Sequence, residues 1–563
     1  MQAGKQTGKR RLQAFMLCGV LVFGLMTGCA GMPLREKGGN TPLTANLRAD
    51  AAGVQDALPV RADLYSSQME YVRFDASRMD TLAQPLLDIA QNGGSQEDFD
   101  AADTAISDAL YDAATMYALI EIRYSQNPAD EEVAQEALTA SDILQEANGV
   151  YWSAMKAVAR SGSKQRMENH YTLAEIEYFY RYDETADDTV QELTAKQDEL
   201  VQQYYTLSAA EPIDADAVRE LYVQLVELRR QIAAQQGYDS YAAYAYEALY
   251  ARDYSPEDAQ RLWAAAKENF LPLLEAHRSG VAPRASKLYY DSSIPVDADS
   301  ILAAMSEVLP QISPRLMEPY TYLTQHHLYD IALSDEKMDA GYTSYLYSYN
   351  EPFIFNDPTG SFYDYTTLFH EYGHFVSMYR HGSDLLFGVS DNDLCELQSQ
   401  GMEALFLPYY EQIFGEADGP VIRDSVVINL LYSIIEGAMY DEFQQKVFAE
   451  PNLTPDRVQE IYNEVAAEYG YDREEGYETD WMSIPHTFDD PFYYISYAAS
   501  AVPALELYGM PQSDAVAAYM IVSDTNPEEY YCSQALNKAG LSDVFDNAAC
   551  ARIAAATDAK FTY

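Results

Sequence analysis

Basic residues are scarce in this chain. Its 36 lysines and arginines stand against 88 aspartates and glutamates, and the net charge is -52. A surface of that sign repels phosphate backbones, so nucleic acid is excluded as a partner. The excess could draw cationic ligands toward a cleft, but a solubility coat is the simpler account. Cysteine is scarcer still, at 5 residues. Cys18 and Cys29 lie near the N-terminus, which leaves Cys395, Cys532 and Cys550 for the body. Three is an odd count and too few for a disulfide scaffold, although Cys532 and Cys550 could pair. After Met26 no apolar run is long enough to span a membrane.

Apolar residues are plentiful, at 48%, and aromatics reach 13% of the 563 residues. That composition builds a large folded core and excludes a disordered acidic tail. At the N-terminus, Lys9, Arg10 and Arg11 precede an apolar run from Ala14 to Met26, the pattern of a signal segment. The run ends in Leu25-Met26-Thr27-Gly28-Cys29, which resembles a bacterial lipoprotein signal box, with Met26 where leucine is usual. The resemblance implies removal of residues 1–28 and lipidation of Cys29. The chain would then sit outside the cytoplasm, held to a bacterial membrane by lipid alone. An ordinary secretory signal is the alternative. Residues 29–58, rich in Gly, Ala, Pro and Thr, read as a flexible tether.

The body reads as mainly α. Residues 96–126, 130–161, 188–209 and 215–236 carry apolar positions at the helical period. Ser255-Pro256-Glu257-Asp258 has the form of a helix N-terminus. The clearest β pattern is the alternation of Tyr345, Tyr347 and Tyr349 with Leu346 and Ser348. Asn350-Glu351-Pro352 then reads as a turn, and Phe353–Phe355 as a second strand. Helix resumes near Asp364, a candidate cap.

Histidine is concentrated where it is present: of 8 in the chain, His370, His374 and His381 fall within twelve residues. His370-Glu371-Tyr372-Gly373-His374 is an H-E-x-x-H pattern. On a helix, positions i and i+4 share a face, so both imidazoles can reach one ion. Glu371 sits about 100° round the axis, close enough to take a proton from an activated water without binding the metal. A catalytic zinc needs a third protein ligand and an open position. Ser377 and Arg380 break the metzincin extension, and His381 is out of its register. Glu396, in a further amphipathic segment 22 residues after His374, is the better third ligand. Glu403, two turns on, could orient a ligand, although a solvated helix face accounts for it more simply. Cys395 is expected to be a packed thiol.

The stretches PFIFNDPTGSFYDYTTLFHEYGH, CELQSQ and WMSIPHTFDDPFYYISYA occur in this order. They resemble the thimet oligopeptidase and oligoendopeptidase F family of zinc peptidases. GYDSYAAYA followed by SPEDA is similar to the helical region that precedes the family's site. The resemblance implies a helical prolate ellipsoid, with two lobes flanking a deep channel and a small β-sheet beside the zinc helix. It implies an N-terminal helical region over 59–290 and a catalytic region over 291–563. It also implies one Zn2+ per chain, held by His370, His374 and Glu396, with Glu371 as the base. Short peptides would be the substrates and the chain a monomer. Ser377 stands where relatives often have another histidine, and CELQSQ lacks a proline common in one branch.

Gly373 inside a helix costs about 1 kcal/mol relative to alanine, so its presence suggests that a neighbouring backbone or a substrate comes close there. His486, Tyr494 and Tyr497 match the family's oxyanion-side segment. Because Pro485 disfavours helix before it, His486 is placed on a loop leading to a helix that carries both tyrosines. In a chain with 48 tyrosines, aromatic packing is the plainer reading of that pair. An extended peptide could pair with a strand edge at Tyr345–Tyr349 or Phe353–Phe355. His326, His327 and His381 are read as structural. Two other functions remain open: a helical zinc carboxypeptidase or dipeptidyl carboxypeptidase, and a lipoprotein that captures peptides without cutting them.

Overall fold

The computed structural model describes residues 61–563, apart from 63, 182–183, 209–211, 290, 292, 339 and 474–475. The expected signal segment, Cys29 and the tether to residue 58 lie outside the described residues.

The chain is mainly α, as its periodicity predicts. The N-terminal helices are α1 (Ser77–Asn92), α2 (Gln96–Gln126), α3 (Glu131–Ala159), α4 (Leu173–Arg181), α5 (Glu184–Ser208) and α6 (Ala215–Gln235). Their starts follow from capping chemistry. Ser95 caps α2 by accepting from the Asp98 amide, Asp130 caps α3, and Asp214 caps α6. Ser255 and Asp258 form the expected capping box, with Pro256 at the first helical position.

The sheet has three strands in the order β1 (Tyr329–Asp330), β3 (Glu351–Asn356), β2 (Gly341–Leu346). β2 runs antiparallel to β3, with Thr343 opposite Ile354. The expected strand through Tyr349 stops at Leu346, and Tyr347–Tyr349 closes into a 3-10 turn. The cause is tertiary: Thr115 Oγ1 of α2 accepts from the Ser348 amide and Asp112 of α2 from its hydroxyl, both at 2.8 Å. Of the expected turn residues only Asn350 turns, at φ 54°, while Pro352 pairs with Tyr345 inside the ladder. Phe353–Phe355 is therefore central rather than an edge, and β1 and β2 are the outer strands among the described residues.

After the sheet come α7 (Tyr363–His381), α8 (Asn392–Phe406), α9 (Tyr410–Ala449, broken at Gly415), α10 (Ile495–Gly509) and α11 (Gln512–Ser523). One large core joins side chains of α6, such as Tyr222 and Leu225, to those of α7 to α11. A second core lies within α1 to α4 and includes Leu386 from the α7–α8 connection. Beside Leu386, Phe387 sets its ring 5.3 Å from Phe179 and 5.6 Å from Trp152. No described helix is long and apolar enough to cross a membrane. Cys395, Cys532 and Cys550 are free thiols, so the Cys532–Cys550 pairing does not form.

Candidate metal centre

Helix α7 carries His370, Glu371 and His374, all buried. Its start differs from expectation. Asp364 lies inside the first turn and does not cap it; its carboxylate accepts the amides of Thr359, Gly360 and Ser361 and so ties the entering loop to the helix. Helix α8 lies against α7 and brings up Glu396. The contact is close because Gly373 has no side chain. A Cβ at that position would sit 2.5 Å from both the carbonyl oxygen of Gln398 and the Cα of Ser399. A neighbouring backbone is thus what the glycine admits, one of the two possibilities its position raised.

Three donor atoms converge. His370 Nε2 lies 3.2 Å from His374 Nε2 and 3.4 Å from Glu396 Oε2. Nitrogens about 2.1 Å from a tetrahedral zinc are roughly 3.4 Å apart, so these spacings fit one ion. The electrostatics fit as well. His370 Nδ1 lies 2.7 Å from Glu403 Oε1, which fixes its proton there and turns the Nε2 lone pair inward. Burial disfavours charge on His370, yet hydrogen bonds to Glu396 and Glu403 outweigh it and raise its pKa well above the usual range. Burial holds His374 down at about 4, leaving a neutral imidazole. The two carboxylates facing His370 favour positive charge at this spot, which a bound cation would supply in place of a proton.

Glu403 is therefore not on a solvated face. It is buried on α8 and holds the first histidine. Thr343 of β2 donates to Glu371 Oε2 at 2.8 Å, while the buried Oε1 of Glu371 has no partner. Burial pushes the Glu371 carboxyl up to about 7. Cys395 beside Glu396 is half-buried, and burial keeps its thiol well above the usual range.

His486 sits on a short helical turn, Pro485–Phe488, where a loop was expected. Tyr494 occupies the N-cap position of α10, and Tyr497 lies in the first turn. Their rings are 5.5 Å apart and edge-to-face, and His486 is 5.5 Å from Tyr494 and 6.3 Å from Tyr497. The structure thus brings the three together. Burial first, then Glu396, Tyr494 and Glu371, raise the Tyr497 phenol, and its ring packs 5.4 Å from that of Tyr493, the residue that donates to Glu396. Tyr494 instead packs 5.2 Å from Tyr440, and its buried hydroxyl has no partner. Sequence reasoning missed Tyr493, whose hydroxyl donates to Glu396 Oε1 at 2.6 Å. It also missed Thr343. His381 Nε2 lies 3.2 Å from the carbonyl oxygen of Ser523, and His326 stacks on Tyr322, both structural as expected.

The model of the peptidase family M3 N-terminal domain matches residues 66–176, and that of peptidase family M3 matches residues 321–519. No curated protein matches the chain. Several solved structures share the fold. A protein provisionally named oligoendopeptidase F is 23% identical, covering 88% of this chain and 98% of its own, with a TM-score of 0.72. PZ peptidase A, solved with an inhibitor, is 21% identical over 88% of this chain and 98% of its own, with a TM-score of 0.69. A second provisionally named oligoendopeptidase F, from Bacillus anthracis, is 19% identical over 87% of this chain and 97% of its own, with a TM-score of 0.68. With both family models matched and a His-His-Glu cluster at the junction of α7 and α8, the chain belongs to peptidase family M3 and is a metallopeptidase.

Proposed function

We propose that the protein hydrolyses internal bonds of short peptides with one zinc ion, held by His370, His374 and Glu396. The observation that carries this reading is the state of Glu371. One carboxylate oxygen is fixed by Thr343, and the other is buried without a partner beside the three converging donors. A base needs such a free oxygen at hydrogen-bond distance from the water it deprotonates. A protein that only captured peptides would have no use for it.

When bound, zinc supplies Lewis-acid activation of water and of the scissile carbonyl. The rest falls to the chain. Glu371 takes the proton of the attacking water at Oε1 and passes it to the leaving nitrogen. Glu403 holds His370 in one tautomer, and Tyr493 does the same for the orientation of Glu396. Tyr497 and His486 donate to the oxygen that gains charge, and Tyr494 packs beside both. The outer side of β2, from Gly341 to Leu346, accepts an extended peptide by backbone pairing, which tolerates many side chains. The endopeptidase reading is supported by the names of the structural relatives. The high negative charge favours a monomer. The Lys9–Arg11 cluster, the apolar run and Cys29 support a lipid anchor on the outer side of a bacterial membrane; Cys29→Ser should release the protein from the membrane fraction.

A mixed peptide library incubated with the zinc-loaded protein and read by mass spectrometry tests the function: internal cuts are expected. Cuts confined to the C-terminus would make it a carboxypeptidase, and intact peptides would leave a capturing protein. Glu371→Gln should keep one zinc and lose activity by about 10²–10⁴-fold, whereas His374→Ala should lose the zinc. A Glu371→Gln variant that cleaves at the wild-type rate removes the base assignment.

A further inference from the structure

One further group of metal-type donors exists among the described residues: His486, Asp489 and Asp490, with ligand atoms within 4.8 Å of one another. Its hydrogen bonds show a different use. Asp489 Oδ1 lies 3.4 Å from His486 Nδ1 and accepts the Asp490 amide at 2.7 Å. Asp489 Oδ2 accepts from the Tyr205 hydroxyl at 2.5 Å. Tyr205 belongs to α5, almost three hundred residues earlier in the chain. Its neighbour Tyr204 stacks on Phe488 with ring centres 3.8 Å apart. From α6, the fully buried Arg229 donates to the carbonyl oxygens of Phe488 and Asp489. Two N-terminal helices therefore hold Phe488 and Asp489.

We infer that Asp489 is a positioning residue for His486 and that Tyr205 positions Asp489 in turn, so that α5 sets the geometry of the oxyanion side. The inference rests on the proposed role of His486. For His486 to offer Nε2–H to a developing oxyanion while Nδ1 faces a carboxylate, both ring nitrogens must carry protons. An ionised Asp489 stabilises that imidazolium and fixes its ring plane. Burial opposes the charge on Asp489, but His486 and Tyr205 outweigh it and hold the carboxyl below its usual range. Burial and the neighbouring Asp489 carboxylate push Asp490 up to about 7, so Asp489 is the more acidic of the two and carries the charge that faces His486. The Tyr205 hydroxyl occupies the second oxygen of Asp489 and leaves the first turned toward the histidine.

A double-mutant cycle separates positioning from general support of the fold. Asp489→Asn, Tyr205→Phe and His486→Ala are made singly, and each of the first two is combined with the third. The readouts are kcat, KM, zinc content and thermal midpoint. The first two changes should each lower kcat about tenfold, with KM and zinc content unchanged. In the His486→Ala background neither should lower kcat further. If His486→Ala is slow but the other two variants turn over at the wild-type rate, the inference falls and the role of His486 stands. Losses that persist undiminished without the histidine would show support of the fold instead and would also overturn it. A His486→Ala variant with normal kcat would remove the reading beneath both. Tyr205→Phe keeps its ring beside Tyr204, so it still decides the matter if Asp489→Asn unfolds.

Discussion

The Tyr493 hydroxyl donates to Glu396 Oε1 at 2.6 Å, while the other oxygen of that carboxylate faces His370. One oxygen of the third ligand is thereby reserved for the metal and the other for an aromatic side chain of the C-terminal segment. Partners of this kind typically alter metal affinity by about 10–100-fold when removed. Tyr493→Phe should therefore weaken zinc binding by about tenfold in competition with a chelator. At saturating zinc most of the activity should return. Unchanged zinc affinity would mean that the carboxylate is held by packing alone.

Tyr497 and Tyr494 should separate in their effect on turnover. Tyr497 lies within electrostatic reach of Glu396 and Glu371, whereas Tyr494 turns its ring toward Tyr440. Loss of one oxyanion donor costs about 10²–10³ in turnover. Tyr497→Phe should show a loss of that order, with zinc content and fold retained, and Tyr494→Phe a smaller one. If the single and double variants all stay within about twofold of wild type, both rings are core packing.

Gly373→Ala reverses the usual helix preference. Alanine is favoured over glycine in a helix interior by about 1 kcal/mol. Here the added methyl would meet the Gln398 carbonyl and the Ser399 Cα at 2.5 Å. Both obstacles are backbone, so α7 and α8 must separate. Overpacking of this kind costs about 1–3 kcal/mol, and a lower thermal midpoint with weaker zinc binding is expected. A midpoint at or above wild type would place the glycine's role elsewhere.

The acid limb of the pH profile should report Glu371. Burial raises its carboxyl to about 7, and the Thr343 hydrogen bond opposes that rise by favouring the ionised form. A base works ionised, so activity is present above its pKa and is lost as pH falls through it. A bound divalent cation lowers the pKa further, which puts the limb of kcat/KM at or below about pH 7. Thr343→Val removes the hydroxyl at 2.8 Å, so the limb should move to higher pH by about one unit. A limb that stays put, or moves down, would show that another group titrates there.

Much of the site was legible in the sequence because its first two ligands are one helical turn apart, and Glu371 between them inherits its position from the same turn. Glu396 followed from chain length and helix patterning. Glu403 did not, because periodicity gives a residue's angle about the helix axis and says nothing of what covers that side. Helix α8 is buried along almost its whole length, including Gln398, Ser399 and Gln400, so its polar residues do not mark solvent. Tyr493 escaped for a backbone reason. Phe492 has φ 72°, unusual for a residue with a side chain, and that turn carries Tyr493 to Glu396. The strand end at Leu346 was hidden in the same way, since contacts from α2 override the local alternation of Tyr345, Tyr347 and Tyr349.

The aromatic seat of Phe387 has a consequence for how the chain is made. Trp152, Tyr171 and Phe179 leave the ribosome first, and Phe387, which packs against all three, follows about 200 residues later. At about 5–20 residues per second the early helices wait roughly 10–40 s with that seat open. The segment that fills it joins the helix bearing His370 to the helix bearing Glu396. The last piece of the N-terminal core thus arrives together with the metal ligands. A C-terminal fragment of residues 291–563 would expose Leu386 and Phe387 on its own surface, and a nascent chain stalled before Phe387 would present the complementary half of the same contact to chaperones.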